Sequence, residues 1–106
     1  MNGYQLTFFT QQTHRHRGKP LAHWLVEQAR ALGIHGATLI GASEGFGHRG
    51  RIHSTHFIDL ADQPIEVVMA VTLEECDRLF RILRDEKVKI VYVKASVEFG
   101  TIGGEE

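Results

Sequence analysis

The chain has 106 residues, 42% of them hydrophobic and 24% charged, with two prolines and a net charge of −1; this excludes a disordered segment and fits a single domain over 1–106. No stretch approaches the roughly 18 consecutive apolar residues of a membrane span, and no charged region followed by an apolar core marks a secretory signal, so the expected compartment is the cytoplasm. The lone Cys76 excludes an intrachain disulfide and reads as a small core residue.

Tyr4 to Thr10 alternates and is rich enough in aromatic and β-branched residues for a strand, and Gln11 to Gly18 follows as a polar loop. Pro20 suits a first helical turn. Leu21, Leu25, Ala29 and Leu32 at helical spacing, flanked by Trp24 and Val26 and stopped by Gly33, predict an amphipathic helix over 20–32. Gly36 opens a second strand over 37–42, and Ile52 to Leu60 reads as a third, the two forming a β-hairpin with a basic tip. Asp62-Gln63-Pro64 is a turn. Ile65 to Val71 is almost wholly apolar, as expected of a central strand covered on both faces.

Thr72-Leu73-Glu74-Glu75 has the capping-box pattern and starts a second helix. Leu73, Cys76, Phe80 and Leu83 form its apolar stripe, with Asp77, Arg78, Arg81, Arg84 and Asp85 on the solvated face. Asp85-Glu86-Lys87 is the turn into a last strand, Lys89 to Lys94, and Phe99 to Glu106 is an added edge strand or a frayed tail. The order βαββαβ predicts an α+β, ferredoxin-like domain: a four-stranded antiparallel sheet with both helices on one face. The small core and the two-sided apolar strand predict that the open sheet face packs against other copies of the chain.

Chemistry concentrates between Glu44 and His56. Gly45, Gly47 and Gly50 let backbone N–H groups approach a ligand closely, and Arg49 and Arg51 offer planar donor forks for phosphate or carboxylate. Phe46 between glycines can stack on a base, His53 follows close by, and Lys19 is a further candidate donor. Residues 1–56 carry six Lys/Arg against two acids, a net of +4, and all seven histidines; residues 57–106 carry six against eleven, a net of −5. That asymmetry suits a small anionic ligand and excludes nucleic acid, whose binders carry a basic stripe and a matching overall charge. His14 and His16 are the alternative, a metal pair completed across loops or subunits, whereas His53 and His56 fall on opposite faces of a regular strand. Neither a nucleophile elbow nor a framed pair of acids is present, so no enzyme and no cofactor is expected.

Gly18-Lys19-Pro20-Leu21, Gly36-Ala37-Thr38, Gly45-Phe46-Gly47 and Ile52-His53-Ser54, in this order over nearly the whole chain, resemble the DUF190 family, whose members are similar to the PII signalling proteins. The resemblance implies a homotrimer with inward-facing sheets and nucleotide-binding clefts between subunits, reporting to a partner such as a membrane transporter or ion exporter. Relatives on this fold also bring in an alternative, a metal-binding trimer of the divalent-ion-tolerance type; a structural or interaction protein without a ligand is the account if nothing binds. Two departures stand out. The connection between the second and third strands is short for the PII partner-binding loop, and the turn Asp85-Glu86-Lys87-Val88-Lys89 has two acids where PII proteins carry a glycine-rich phosphate cradle. An anion site at residues 45–51 would therefore differ from that of PII, with Lys19 or Lys87 of a neighbouring subunit as a further donor.

Overall fold

The computed structural model describes residues 1–41, 44–46, 52–54 and 63–103, the two short internal segments by their backbone alone. Strand β1 (Asn2–Gln11) alternates as its sequence predicts: Leu6 and Phe8 are fully buried, with Tyr4 and Thr10 on the same face. Two short strands follow inside the segment expected to be a polar loop, β2 (Arg15–His16) and β3 (Lys19–Pro20), paired Arg15 to Pro20 and His16 to Lys19. Their turn is Arg17-Gly18 with φ of 54° and 77°, the double positive φ that matches the right-handed strand twist of a two-residue hairpin. Glycine adopts it at no steric cost, arginine at a cost of about 1 kcal/mol or more.

Helix α1 (Leu21–Ala31) starts directly from Pro20, which is its N-cap and not its first helical residue. It buries Leu21, Ala22, Trp24, Leu25 and Ala29. It closes when the Ile34 and Gly33 amides donate to the Ala29 and Arg30 carbonyls, the double bond pair that satisfies orphaned carbonyls at a helix end. Strand β4 (Ala37–Gly41) comes next. Two short segments, β5 (Glu44–Phe46) and β6 (Ile52–Ser54), pair with each other. The expected hairpin between 37–42 and 52–60 is therefore corrected: β4 pairs with β7 (Pro64–Thr72), and the 52–54 ladder is a separate insertion. Residues 55–60 and Asp62 lie outside the described residues, as do 104–106.

Helix α2 (Leu73–Asp85) begins with the anticipated capping box, the Glu75 amide donating to Thr72 Oγ1 at 3.1 Å and the Thr72 amide to Glu75 Oε1 at 2.9 Å. Its buried stripe is Cys76, Leu79 and Leu83. Leu73, expected in that stripe, is 56% exposed and borders an open groove with Asn2–Tyr4 and Ser96–Glu98 at the sheet end. Burial pushes the Cys76 thiol pKa up, against a smaller opposing effect of Lys94, which fits a core thiol. Strand β8 (Val91–Glu98) runs four residues past its expected end, and Met1 and Phe99 exchange two backbone bonds that continue the ladder.

The sheet order is β4-β7-β1-β8, antiparallel at every pair. This is the ferredoxin-like arrangement, the βαββαβ order being met by β1-α1-β4-β7-α2-β8. Both helices cover one face, where Leu6, Phe8, Val67, Met69 and Val71 join the buried residues of α1 and α2 in one core. The two-sided cover expected for 65–71 is present on one side only: Val68 and Ala70 face away from the helices and are half-buried. Around them on the open face Phe9, Ile40, Val91 and Val93 are 40%, 44%, 49% and 53% exposed.

Candidate functional site

The register brings three connections to one end of the sheet. Gln11 at the end of β1 pairs with Pro64 at the start of β7, Gly41 at the end of β4 pairs with Ile65, and Val91 at the start of β8 pairs with Phe9. The basic hairpin, the insertion between β4 and β7, and the α2–β8 turn therefore all leave the sheet at that end. The Gln12 amide donates to the Gln63 carbonyl at 3.0 Å and ties the start of the hairpin to the end of the insertion.

Within the insertion Gly45 pairs with His53, Phe46 with Ile52 and Glu44 with Ser54. Three of the predicted site residues, Gly45, Phe46 and His53, thus share one short ladder. Gly47, Arg49, Gly50 and Arg51 lie outside the described residues. Lys19 sits on β3, where its Nζ donates to Glu27 Oε1 at 2.7 Å between two half-exposed side chains.

The hairpin also carries a contact that sequence reading missed. Arg17 Nε and Nη2 donate to Oε1 and Oε2 of Glu86 at 2.7 and 3.0 Å, and His16 Nε2 lies 2.9 Å from Oε1 of the same carboxylate. The His16 ring stands edge-on to buried Trp24, with centroids 4.4 Å apart. Hydrogen bonds from Arg17 first, then from His16, hold the Glu86 carboxyl below its ordinary pKa, and Glu86 in turn raises that of Arg17. Glu86 caps the C-terminus of α2, and Lys87 after it takes a left-handed φ of 57°. About seventy residues separate the partners, so no local pattern announces the contact. The acidic turn is consequently less repulsive to an anion than its composition implies, since one of its two charges is compensated.

His14 and His16 do not converge on a common centre. His14 Nδ1 lies 3.3 Å from Thr10 Oγ1, while His16 engages Glu86. Among the described residues no group of three His, Cys, Asp or Glu side chains is arranged to hold a metal ion, and no helix is long and apolar enough to cross a membrane.

The family model DUF190, described as "Uncharacterized ACR, COG1993", matches residues 3–98. The chain belongs to the DUF190 family. A UPF0166 protein of Aquifex aeolicus (strain VF5) is 31% identical over 84 residues, covering 79% of this chain and 78% of its own. Among solved structures, the fold is similar to CPII of Thiomonas intermedia K12, a nitrogen regulatory PII-like protein bound to ADP, AMP and bicarbonate, at a TM-score of 0.71 and 18% identity, over 95% of this chain and 91% of that one. It is also similar to a PII-like signaling protein of Thermus thermophilus, at a TM-score of 0.66 and 21% identity, over 91% and 87% of the two chains. The fold is thus PII-like as well as ferredoxin-like.

Proposed function

We propose that this chain is a PII-like regulatory module, one domain over 1–106, that binds a small anionic ligand of the adenine-nucleotide class at clefts between subunits of a cytoplasmic homotrimer. The observation that carries this reading is that the insertion whose sequence is rich in glycine and arginine, the basic hairpin and the helix C-terminal turn all leave the sheet at the same end. Gly45, Gly47 and Gly50 offer backbone donors, Arg49 and Arg51 clasp the anion, Phe46 stacks on the base, and His53 and Lys19 complete the site. Binding of ADP, AMP and bicarbonate by CPII supports the ligand class.

The exposed apolar side chains Phe9, Ile40, Val91 and Val93 on the open sheet face support the trimer, since a patch of this kind is costly to leave in water. A ligand that binds one conformation of the trimer better than another gives it a signal to pass to a partner, and it does so only through that unequal affinity. The module acts by binding and not by turnover.

A thermal-shift screen of ADP, AMP, bicarbonate and divalent metals tests the reading, because a ligand selective for the native state raises its stability by about 2.7 kcal/mol at a hundredfold excess over Kd. Stabilisation by ADP or AMP that falls away in Arg49→Ala/Arg51→Ala supports it. Stabilisation by divalent metals alone favours the metal-binding trimer, and conversion of the nucleotide to product makes the chain an enzyme.

A further inference from the structure

The Glu86 contact differs in kind from the other ion pairs described. Lys19–Glu27 and Arg78–Glu74 each join one donor atom to one oxygen between exposed side chains, an arrangement worth little in water. Glu86 instead fills the planar fork of Arg17 with both oxygens and shares Oε1 with His16, a three-donor set that suits a phosphate or a carboxylate equally well.

The donors stand on a stiff frame. Arg17 belongs to a two-residue turn with fixed positive φ, His16 is braced against Trp24, and the Leu21 amide donates to the His14 carbonyl at 2.8 Å, closing the hairpin onto the start of α1. Arg17 is the exposed member, its side chain 65% accessible, so a dissolved anion can reach the fork, while Glu86 approaches from the turn that leads into β8. We propose that His16 and Arg17 form an oxyanion-recognition site that the chain's own Glu86 occupies, so that a free phosphate-type anion and the α2–β8 turn compete for the same donors. An anion that wins frees the turn from the hairpin, and a change at the hairpin is thereby passed to β8. The inference stands apart from nucleotide binding at 45–51 and holds whether or not that site is confirmed.

Inorganic phosphate, titrated into the full chain at pH 7 with the His16 imidazole signals followed by NMR, is the test. Glu86→Gln keeps the shape of the competitor and removes its charge, so the His16 response should reach half-saturation at a phosphate concentration at least tenfold lower than in the wild type. Adding Arg17→Ala to that variant should abolish the gain, while Glu74→Gln, which frees Arg78 on α2, should behave as wild type. Equal half-saturation in wild type and Glu86→Gln, or no response in either, overturns the proposal and leaves the contact a staple. A second measurement does not depend on the folding of any variant: saturating phosphate should raise the Glu86 titration midpoint of the wild type toward that of an ordinary glutamate, and an unmoved midpoint overturns the proposal equally.

Discussion

Gly3 sits where no other residue fits. A Cβ there would meet the Val71 carbonyl oxygen at 2.0 Å and the Phe99 ring at 2.9 Å, and the carbonyl belongs to the central β1–β7 ladder and has nowhere to go. Gly3→Ala should therefore lower stability by about 3 kcal/mol through overpacking, as read from urea unfolding. Lys87 presents the opposite case, a side chain in a left-handed conformation that glycine adopts freely. Lys87→Gly should raise stability by about 0.5–1 kcal/mol in the same assay, since the strain it relieves outweighs the entropy glycine adds to the unfolded chain.

Glu86 gives a pH signature. Its folded pKa lies below the ordinary value, so its contribution is fully present above the ordinary carboxylate range and is lost as pH falls through the folded pKa. Wild type should be more stable than Glu86→Gln at pH 7, and the two should converge as the acid limb is descended. A gap that persists unchanged at the acid end would mean that the charge is irrelevant. None of this was legible in the sequence, because a close approach and a partner about seventy residues away depend on how the elements pack, not on neighbouring residues.

Among the elements, those governed by local chemistry were legible. The capping box at Thr72 names its own residues, and Thr72→Ala should cost about 1 kcal/mol, a fall in Tm of roughly 4–8 °C for a domain near this size. Helix α1 was recognisable by its spacing, displaced by one residue at each end. The β2–β3 hairpin was not, because its turn carries arginine at a position where asparagine, aspartate or glycine is the usual signal. The apolar stripe read from the sequence includes Leu73 and omits Leu79, yet Leu79 is buried and Leu73 exposed: six residues apart on a helix they point about 120° away from each other, and the sheet lies under Leu79. The pairing of β4 with β7 across a long insertion was equally hidden, since a short hairpin is the nearest partner that local pattern offers.

At the scale of the whole molecule, Val68 and Met69 separate folding from association. Met69 points into the core and is almost fully buried, so Met69→Asp places an unpaired charge there and should unfold the chain. Val68 lies on the open face beside Thr7 of β1 and Thr38 of β4, so Val68→Asp should leave the secondary structure intact by circular dichroism and reduce the proposed trimer to monomers by light scattering. A native chain that stays monomeric at micromolar concentration removes the trimer. The alternating apolar residues on both faces of β7 were visible in the sequence, whereas which side the helices cover was not.

The central claim is the proposed ligand site in the insertion between β4 and β7. Isothermal titration of ADP into the wild-type chain and into Arg49→Ala/Arg51→Ala tests it most directly. The predicted result is saturable binding to the wild type, weakened at least about tenfold in the double variant, which corresponds to about 1.4 kcal/mol of lost binding energy. Equal affinity in the two proteins, or no binding of ADP to the wild type, would contradict the account.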